Sequence, residues 1–281
     1  MKKILVTGCN GQLGREINRF YQDKNGIELV NTDVDELDIT SIKEVMGLVD
    51  SIKPYAIINC AAYTAVDACE TNQDIAFKVN VIGPRNLAIA AKTYNAKLVH
   101  ISTDYVFDGT KLTPYYESDP VCPQSVYGET KAEAEKMVCM FADRFFIFRT
   151  AWLYGDGKNF VKTMLKLSET HDTVKVVNDQ FGTPTSTVEL VKAIDSILFT
   201  KNYGIYHATC EGSCNWAEFA EEIFRLAGKD TKVIGISTEE YGAPANRPAH
   251  SILENRMLKA VGGYTFCDWH DAIKTYIEEM Q

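Results

Sequence analysis

The sequence predicts an α/β fold, a doubly wound parallel sheet of Rossmann type followed by a smaller mixed α/β lobe. Three observations predict it. Short apolar, β-branched runs alternate with segments of helical period through the first 150 residues, as expected of strands covered on both faces by crossover helices. The first run leads directly into a glycine-rich turn and a helix, the strand–turn–helix order of a doubly wound sheet. Beyond Thr150 the alternation weakens, and loop-rich segments such as Gly155-Asp156-Gly157 and Ala243-Pro244-Ala245-Asn246-Arg247-Pro248 appear.

Strands are predicted at 3–7, 28–32, 56–60, 97–102 and 145–149, and helices at 12–24, 41–52, 74–94 and 125–141. Gly83-Pro84 falls inside the third helix, where the missing N–H bends or breaks it. The second part is expected to hold helices at 160–168, 188–199, 216–227 and 268–280, with short strands at 174–177, 205–207 and 232–234. Residues 1–150 read as a first domain on which 178–203 packs back, and 151–281 as the partly interleaved smaller lobe. A ligand belongs in the junction between them.

With 281 residues, 46% hydrophobic and 24% charged, the chain can bury one large core or two coupled ones. It has no run of eighteen apolar residues, and its first seven residues are too short an apolar stretch for a signal peptide. A cytoplasmic location without a membrane partner is expected. The eight cysteines include no Cys-x-x-Cys pair and read as reduced thiols. Cys210 and Cys214 lack the second pair that a zinc site needs, so no metal site is predicted. A net charge of −9 without a Lys/Arg cluster argues against nucleic acid.

The turn Gly8-Cys9-Asn10-Gly11-Gln12-Leu13-Gly14 has the context of a dinucleotide site. Gly8 allows the tight turn, Gly11 lets a pyrophosphate approach the helix N-terminus, and Gly14 lets helix and strand pack closely. The Gly-x-x-Gly-x-x-Gly spacing resembles that of extended short-chain dehydrogenases/reductases. Asp33 follows the second strand, where a carboxylate accepts hydrogen bonds from an adenosine ribose and repels a 2′-phosphate. NADH is therefore favoured over NADPH, with Lys2 or Arg15 as cations able to relax the choice.

Thr103 closes the fourth strand, and Tyr127-Gly128-Glu129-Thr130-Lys131 follows on a helix. Tyrosine and lysine four positions apart share a helical face, so an ammonium can favour the ionised phenol. A free phenol titrates near 10, so proton exchange near neutrality asks for a shift of roughly 3 units, about 4 kcal/mol. Thr103 would orient a carbonyl, Tyr127 donate the proton, and Lys131 tune Tyr127 while anchoring the nicotinamide ribose.

These motifs resemble those of the dTDP-4-dehydrorhamnose reductases over nearly the whole chain. The resemblance also rests on Asn59-Cys60-Ala61-Ala62-Tyr63-Thr64-Ala65-Val66-Asp67, Ser102-Thr103-Asp104-Tyr105-Val106-Phe107, Arg149-Thr150-Ala151-Trp152-Leu153-Tyr154-Gly155 and Asp179-Gln180-Phe181-Gly182-Thr183-Pro184-Thr185. It implies reduction of dTDP-4-dehydro-β-L-rhamnose at C4 to dTDP-L-rhamnose with NADH or NADPH, for cell-surface polysaccharide. Family cofactor contacts carry over to Gly11, Gln12, Leu13, Asp33, Asp38, Ile39, Ala62, Tyr63, Thr64 and Ile101, with Tyr127 and Lys131. Sugar contacts carry over to Thr103, Asp104 and Trp152. Cys60 and Ala151 depart from the usual alanine and serine without removing a reacting group.

Arg247, on a loop fixed by Pro248, offers a planar fork for the substrate diphosphate. Phe160 is a secondary candidate, for packing on the base. Some family members form dimers bridged by a divalent cation, and Glu16, Glu189 and Glu279 occupy the matching neighbourhoods. Mg2+ is chemically permissible there but is not predicted, and the chain is expected to be a monomer or homodimer. Two other functions use the same parts. A dehydratase would carry glutamate where Tyr105 stands, whereas an epimerase would retain its dinucleotide between turnovers. A non-catalytic, dinucleotide-binding regulatory subunit would have no need of a tuned phenol.

Overall fold

In the computed structural model, which describes residues 1–280, the chain opens with β1 (Lys2–Thr7), α1 (Gln12–Tyr21), β2 (Ile27–Thr32), α2 (Ile42–Ile52) and β3 (Ala56–Asn59). There follow α3 (Val66–Thr71), α4 (Gln73–Phe77), α5 (Gly83–Thr93), β4 (Lys97–Thr103), α6 (Val126–Phe141) and β5 (Phe145–Thr150). The second part holds β6 (Leu153–Tyr154), α7 (Phe160–Ser168), β7 (Thr173–Val177), β8 (Phe181–Gly182), β9 (Thr185–Ser186), α8 (Thr187–Leu198) and β10 (Gly204–His207). It ends with β11 (Cys214–Asn215), α9 (Trp216–Leu226), β12 (Lys232–Ile236), α10 (Thr238–Tyr241), α11 (Arg256–Ala260) and α12 (Trp269–Met280). No helix among the described residues is long and apolar enough to cross a membrane.

Six parallel strands make the central sheet, in the order β10-β5-β4-β3-β1-β2. Successive side chains alternate between its faces. Ile4, Val6, Ile58, Phe146 and Phe148 enter a core shared with α1, α8 and the second part of the chain. Leu5, Ile57, Leu98 and Ile147 enter a second core against α2, α5 and α6. Residues 205–207, expected in the smaller lobe, belong instead to this sheet, where Gly204–His207 pairs with β5. The preceding α8 is the crossover helix that makes a parallel partner possible, and Tyr206 stacks on Phe148 with ring centroids 5.8 Å apart. The other two strands predicted beyond Thr150 pair with each other, β7 beside β12.

The helix predicted over 74–94 is continuous in direction but changes pitch. Between α4 and α5 lies a π-helical segment, Lys78–Ile82, in which the Gly83 N–H reaches back to the Lys78 carbonyl. The wider turn just ahead of Pro84 accommodates the ring, a common solution where an N–H is missing. α6 is capped by Ser125, whose hydroxyl accepts from the Gly128 N–H. Asn215 and Glu218 form a reciprocal capping box that starts α9.

Lys97, at the first position of β4, is buried, and its Nζ donates to the carbonyls of Leu198 and Thr200, both at 2.7 Å. A cation here satisfies orphan carbonyls at the end of α8 and complements its dipole. It ties that helix to the sheet. Lys97→Met keeps the apolar stem and removes two charge-assisted bonds. Unfolding free energy from urea titration is expected to fall by about 2 kcal/mol with unchanged slope, and an unaltered midpoint would contradict the assignment.

Candidate active site

The parallel sheet presents all its strand ends along one edge, and two adjoining cavities open there. One, of about 480 Å³, runs from Gly11 to Trp152 and is lined by Thr103, Asp104, Tyr127 and Lys131. Gln12, Leu13, Gly14, Ala62, Thr64 and Ile101 complete its wall on the glycine-loop side. The other, of about 250 Å³, is lined by Gly8, Asp33, Asp38 and Ile39. Gly11, Cys60, Ala61 and Ala62 border both. They meet where β1 lies between β2 and β3, the point of reversed strand order at which open α/β sheets bind ligands.

The glycine loop is built for close approach. Gly8 has φ +66°, and a Cβ on Gly14 would lie 2.4 Å from the Gly8 carbonyl oxygen and 2.6 Å from the Cys9 Cα. Gly11 caps α1 without a side-chain bond, and no acid stands in the first turn. The first N–H groups of α1 are thus unshielded by a carboxylate, which suits an anion such as a pyrophosphate. Asp33 accepts from the backbone N–H of Asn10 at 3.0 Å and of Val34 at 2.9 Å, so it braces the loop as well as lining the second cavity. Both cations expected to offset it are engaged: Lys2 lies over the Tyr55 and Phe199 rings, and Arg15 pairs with Asp156. A dinucleotide fits this donor set.

At the far end of the larger cavity, the Thr103 hydroxyl donates to Asp104 Oδ1 at 2.9 Å and accepts from the Tyr105 N–H at 3.2 Å. Burial pushes the Asp104 carboxyl up to about 6, while the Ser251 and Thr103 hydroxyls favour its ionised form. Its Oδ2 has no well-formed hydrogen bond, nor has Thr150 Oγ1 in the same wall. These orphaned buried atoms suit ligand hydroxyls. A Cβ on Gly128 would lie 2.3 Å from the Tyr105 carbonyl oxygen. Glycine there lets the first turn of α6 close on the Thr103 loop, and the Tyr105 and Tyr127 rings meet edge-on at 5.5 Å.

Burial, with the Asp104 charge beside it, raises the Tyr127 phenol, and the Thr103 hydroxyl lowers it. The phenol is therefore held protonated, and the lowering by Lys131 expected from the four-residue spacing is not found, because burial dominates and Lys131 is not among the groups that shift it. Lys131 is 2% exposed, and its Nζ donates to the Ile101 carbonyl at 2.6 Å. Burial brings the ammonium down to about 8 against the opposing pull of Glu135.

Trp152 adopts φ +48° and stacks on Trp216 with centroids 3.6 Å apart and planes 10° from parallel. Both line the larger cavity. Phe160 packs against Trp216 and Phe219, as a core aromatic does. Tyr63 and Arg247 line neither cavity. The Tyr63 backbone is held by Asn80, and Arg247 pairs with Asp67 at 2.9 Å. Glu16 and Glu279 border one small cleft, whereas Glu189 is occupied by Lys192 and Tyr264. Sequence reasoning missed Trp216, Thr150 and the inward-facing role of Tyr105. The only signal for Trp216 was a large aromatic at the start of a helix.

A family model described as RmlD substrate binding domain matches residues 1–281. The spore coat polysaccharide biosynthesis protein SpsK of Bacillus subtilis is 39% identical, covering 99% of this chain and 98% of its own. The crystal structure of a dTDP-4-dehydrorhamnose reductase from Clostridium acetobutylicum is 52% identical, with TM-score 0.98 over 99% of both chains. That of the Bacillus anthracis enzyme in complex with NADP is 40% identical, with TM-score 0.97, covering 99% of this chain and 100% of that one. Matched from end to end by the family model and by relatives of this similarity, the chain belongs to the RmlD substrate-binding-domain family.

Proposed function

We propose that this protein reduces the C4 ketone of dTDP-4-dehydro-L-rhamnose to dTDP-L-rhamnose with NAD(P)H, in dTDP-rhamnose biosynthesis for cell-surface polysaccharide. The observation that carries the reading is the convergence of Thr103, Tyr127 and Lys131 on one cavity that adjoins the glycine-loop cavity. Family membership and the relatives' names support the substrate class.

When bound, the dihydronicotinamide supplies the hydride. The protein's own groups do the rest. The Tyr127 phenol, raised by burial, is a proton donor throughout the neutral range and gives its proton to the oxygen that gains charge. Thr103, fixed between Asp104 and the Tyr105 N–H, orients that oxygen. Lys131, directed by the Ile101 carbonyl, holds the cofactor ribose. Gly8, Gly11, Gln12, Leu13 and Gly14 hold the pyrophosphate, and Asp33, Asp38 and Ile39 the adenosine, with Asp33 favouring NADH. Ala62, Thr64 and Ile101 flank the nicotinamide half, and Tyr63, which lines neither cavity, is left out of that contact. Asp104 and Trp152 contact the sugar. Arg247 leaves Asp67 to take the substrate diphosphate. The enzyme acts in the cytoplasm on a small molecule, as a monomer or homodimer, without nucleic acid or membrane.

The direct test is loss of dihydronicotinamide absorbance with a panel of 4-ketosugar nucleotides, where no oxidation with any of them would defeat the proposal. Tyr127→Phe is expected to lower kcat by about 10²- to 10⁴-fold while NAD(P)H binding persists; near-normal turnover would remove the proton-donor role. Arg247→Ala should raise the KM for the sugar nucleotide about tenfold with little change in kcat, and an unchanged KM would cancel that contact. The Lys131 ammonium is present below its value of about 8 and lost above it. The rate should therefore hold level through neutrality and decline above about pH 8, which a kcat/KM–pH profile will reveal.

A further inference from the structure

Tyr127, Lys131 and Glu135 follow one another at four-residue intervals on α6, so they share a stripe of the helix. The first two line the larger cavity. Glu135 lies deeper, 4% exposed, against the two central strands. Its Oε1 accepts from Ser102 Oγ at 2.5 Å and from Arg149 Nε at 2.9 Å, and its Oε2 from Arg149 Nη2 at 2.7 Å. Ser102 and Arg149 are register partners across β4 and β5, and the next pair along, Thr103 and Thr150, reaches the cavity wall. One carboxylate thus clamps the helix to both strands a single residue behind the reacting groups.

Such a pair adds little net stability compared with apolar packing of the same volume. It does fix geometry in three directions at once. We propose that Glu135 is a positioning residue of this site: it registers the Tyr127–Lys131 face of α6 on the strand ends bearing Thr103, and it places a negative charge one helical turn from Lys131. The proposal deepens the reductase reading and rests on it.

The surroundings of Lys131 single out Glu135. On β4, His100 is kept neutral by burial and by the Lys131 charge itself, and Asp104 lies beyond the strand end. On β5, Arg149 is already paired with Glu135. From α3, Glu70 accepts from the Val126 N–H and Cys69 acts on Tyr127, both at the start of α6. The π-helical segment brings uncharged Asn80 onto Thr130, and Arg85 of α5 lies over Phe141 at the far end. Among these groups, Glu135 is the one whose charge opposes the effect of burial on Lys131.

Two readouts test the inference, one without substrate or cofactor. The first follows Lys131 by NMR pH titration of the lysine-labelled protein, its signal identified by loss in Lys131→Met. In Glu135→Gln the Lys131 midpoint should fall by about one unit or more, and Glu135→Asp, which keeps the charge, should restore most of it. The second is kcat/KM for the 4-ketosugar nucleotide, expected to drop about 10²-fold in Glu135→Gln, with the alkaline limb moving to lower pH. The double variant Glu135→Gln/Arg149→Met removes both ends of the buried ion pair, so no unpaired guanidinium is left against the sheet, and it should regain thermal stability. Its rate and Lys131 midpoint should stay below those of the wild type. Recovery of rate and midpoint together with stability would reduce Glu135 to a folding role and overturn the inference, as would an unshifted midpoint in Glu135→Gln. Failure of the wild type to oxidise NAD(P)H would count against the reductase reading alone, because the titration is decided in the free protein.

Discussion

All six strands of the central sheet run the same way, and most of the site follows from that constraint. A parallel sheet cannot be closed by tight hairpins, so each strand must be left by a loop at one edge and regained through a crossover at the other. Every loop that matters here leaves the carboxyl edge: the glycine turn after β1, Asp33 after β2, Cys60 to Ala62 after β3, Thr103 ending β4, and Trp152 just beyond β5. Residues far apart in sequence become neighbours because their strands end side by side.

Bringing strand ends together is not sufficient for chemistry, because the helices must come close enough to add their own groups. Gly14 allows α1 to lie against its own loop, and Gly128 allows α6 to touch the backbone of Tyr105. Buried polar side chains then set the fine geometry. Thr103 is held by its neighbour's carboxylate, and Glu135 and Arg149 fix the depth of α6 on the sheet. The same burial that makes these bonds strict also keeps Tyr127 protonated and weakens the hold of Lys131 on its proton.

Much of this was legible in the sequence because it is encoded locally. The first five strands lie within one or two residues of their expected bounds, since each is a short apolar run between turn residues. The glycine turn and the Tyr127–Lys131 pair carry fixed spacings that a strand–turn–helix frame makes meaningful. What escaped depends on partners distant in the chain. Gly204–His207 reads as a strand on its own, but only β5 and α8 decide which sheet it joins. The pairing of Arg247 with Asp67 spans 180 positions, and no local pattern announces it. Trp216 looks like an ordinary core aromatic until Trp152 is laid flat upon it. The pitch change ahead of Pro84 could be expected as a disturbance, though its π-helical form could not.

The pair formed by Trp152 and Trp216 has an optical corollary. The chain has three tryptophans, and two of them are in mutual contact at the wall of the larger cavity. Their emission depends on each other and on whatever occupies that space, whereas the third indole, Trp269, is buried in the interior. Two of the three indoles thus stand where a ligand would change their surroundings, so the protein carries a built-in optical probe of that cavity that needs no attached dye.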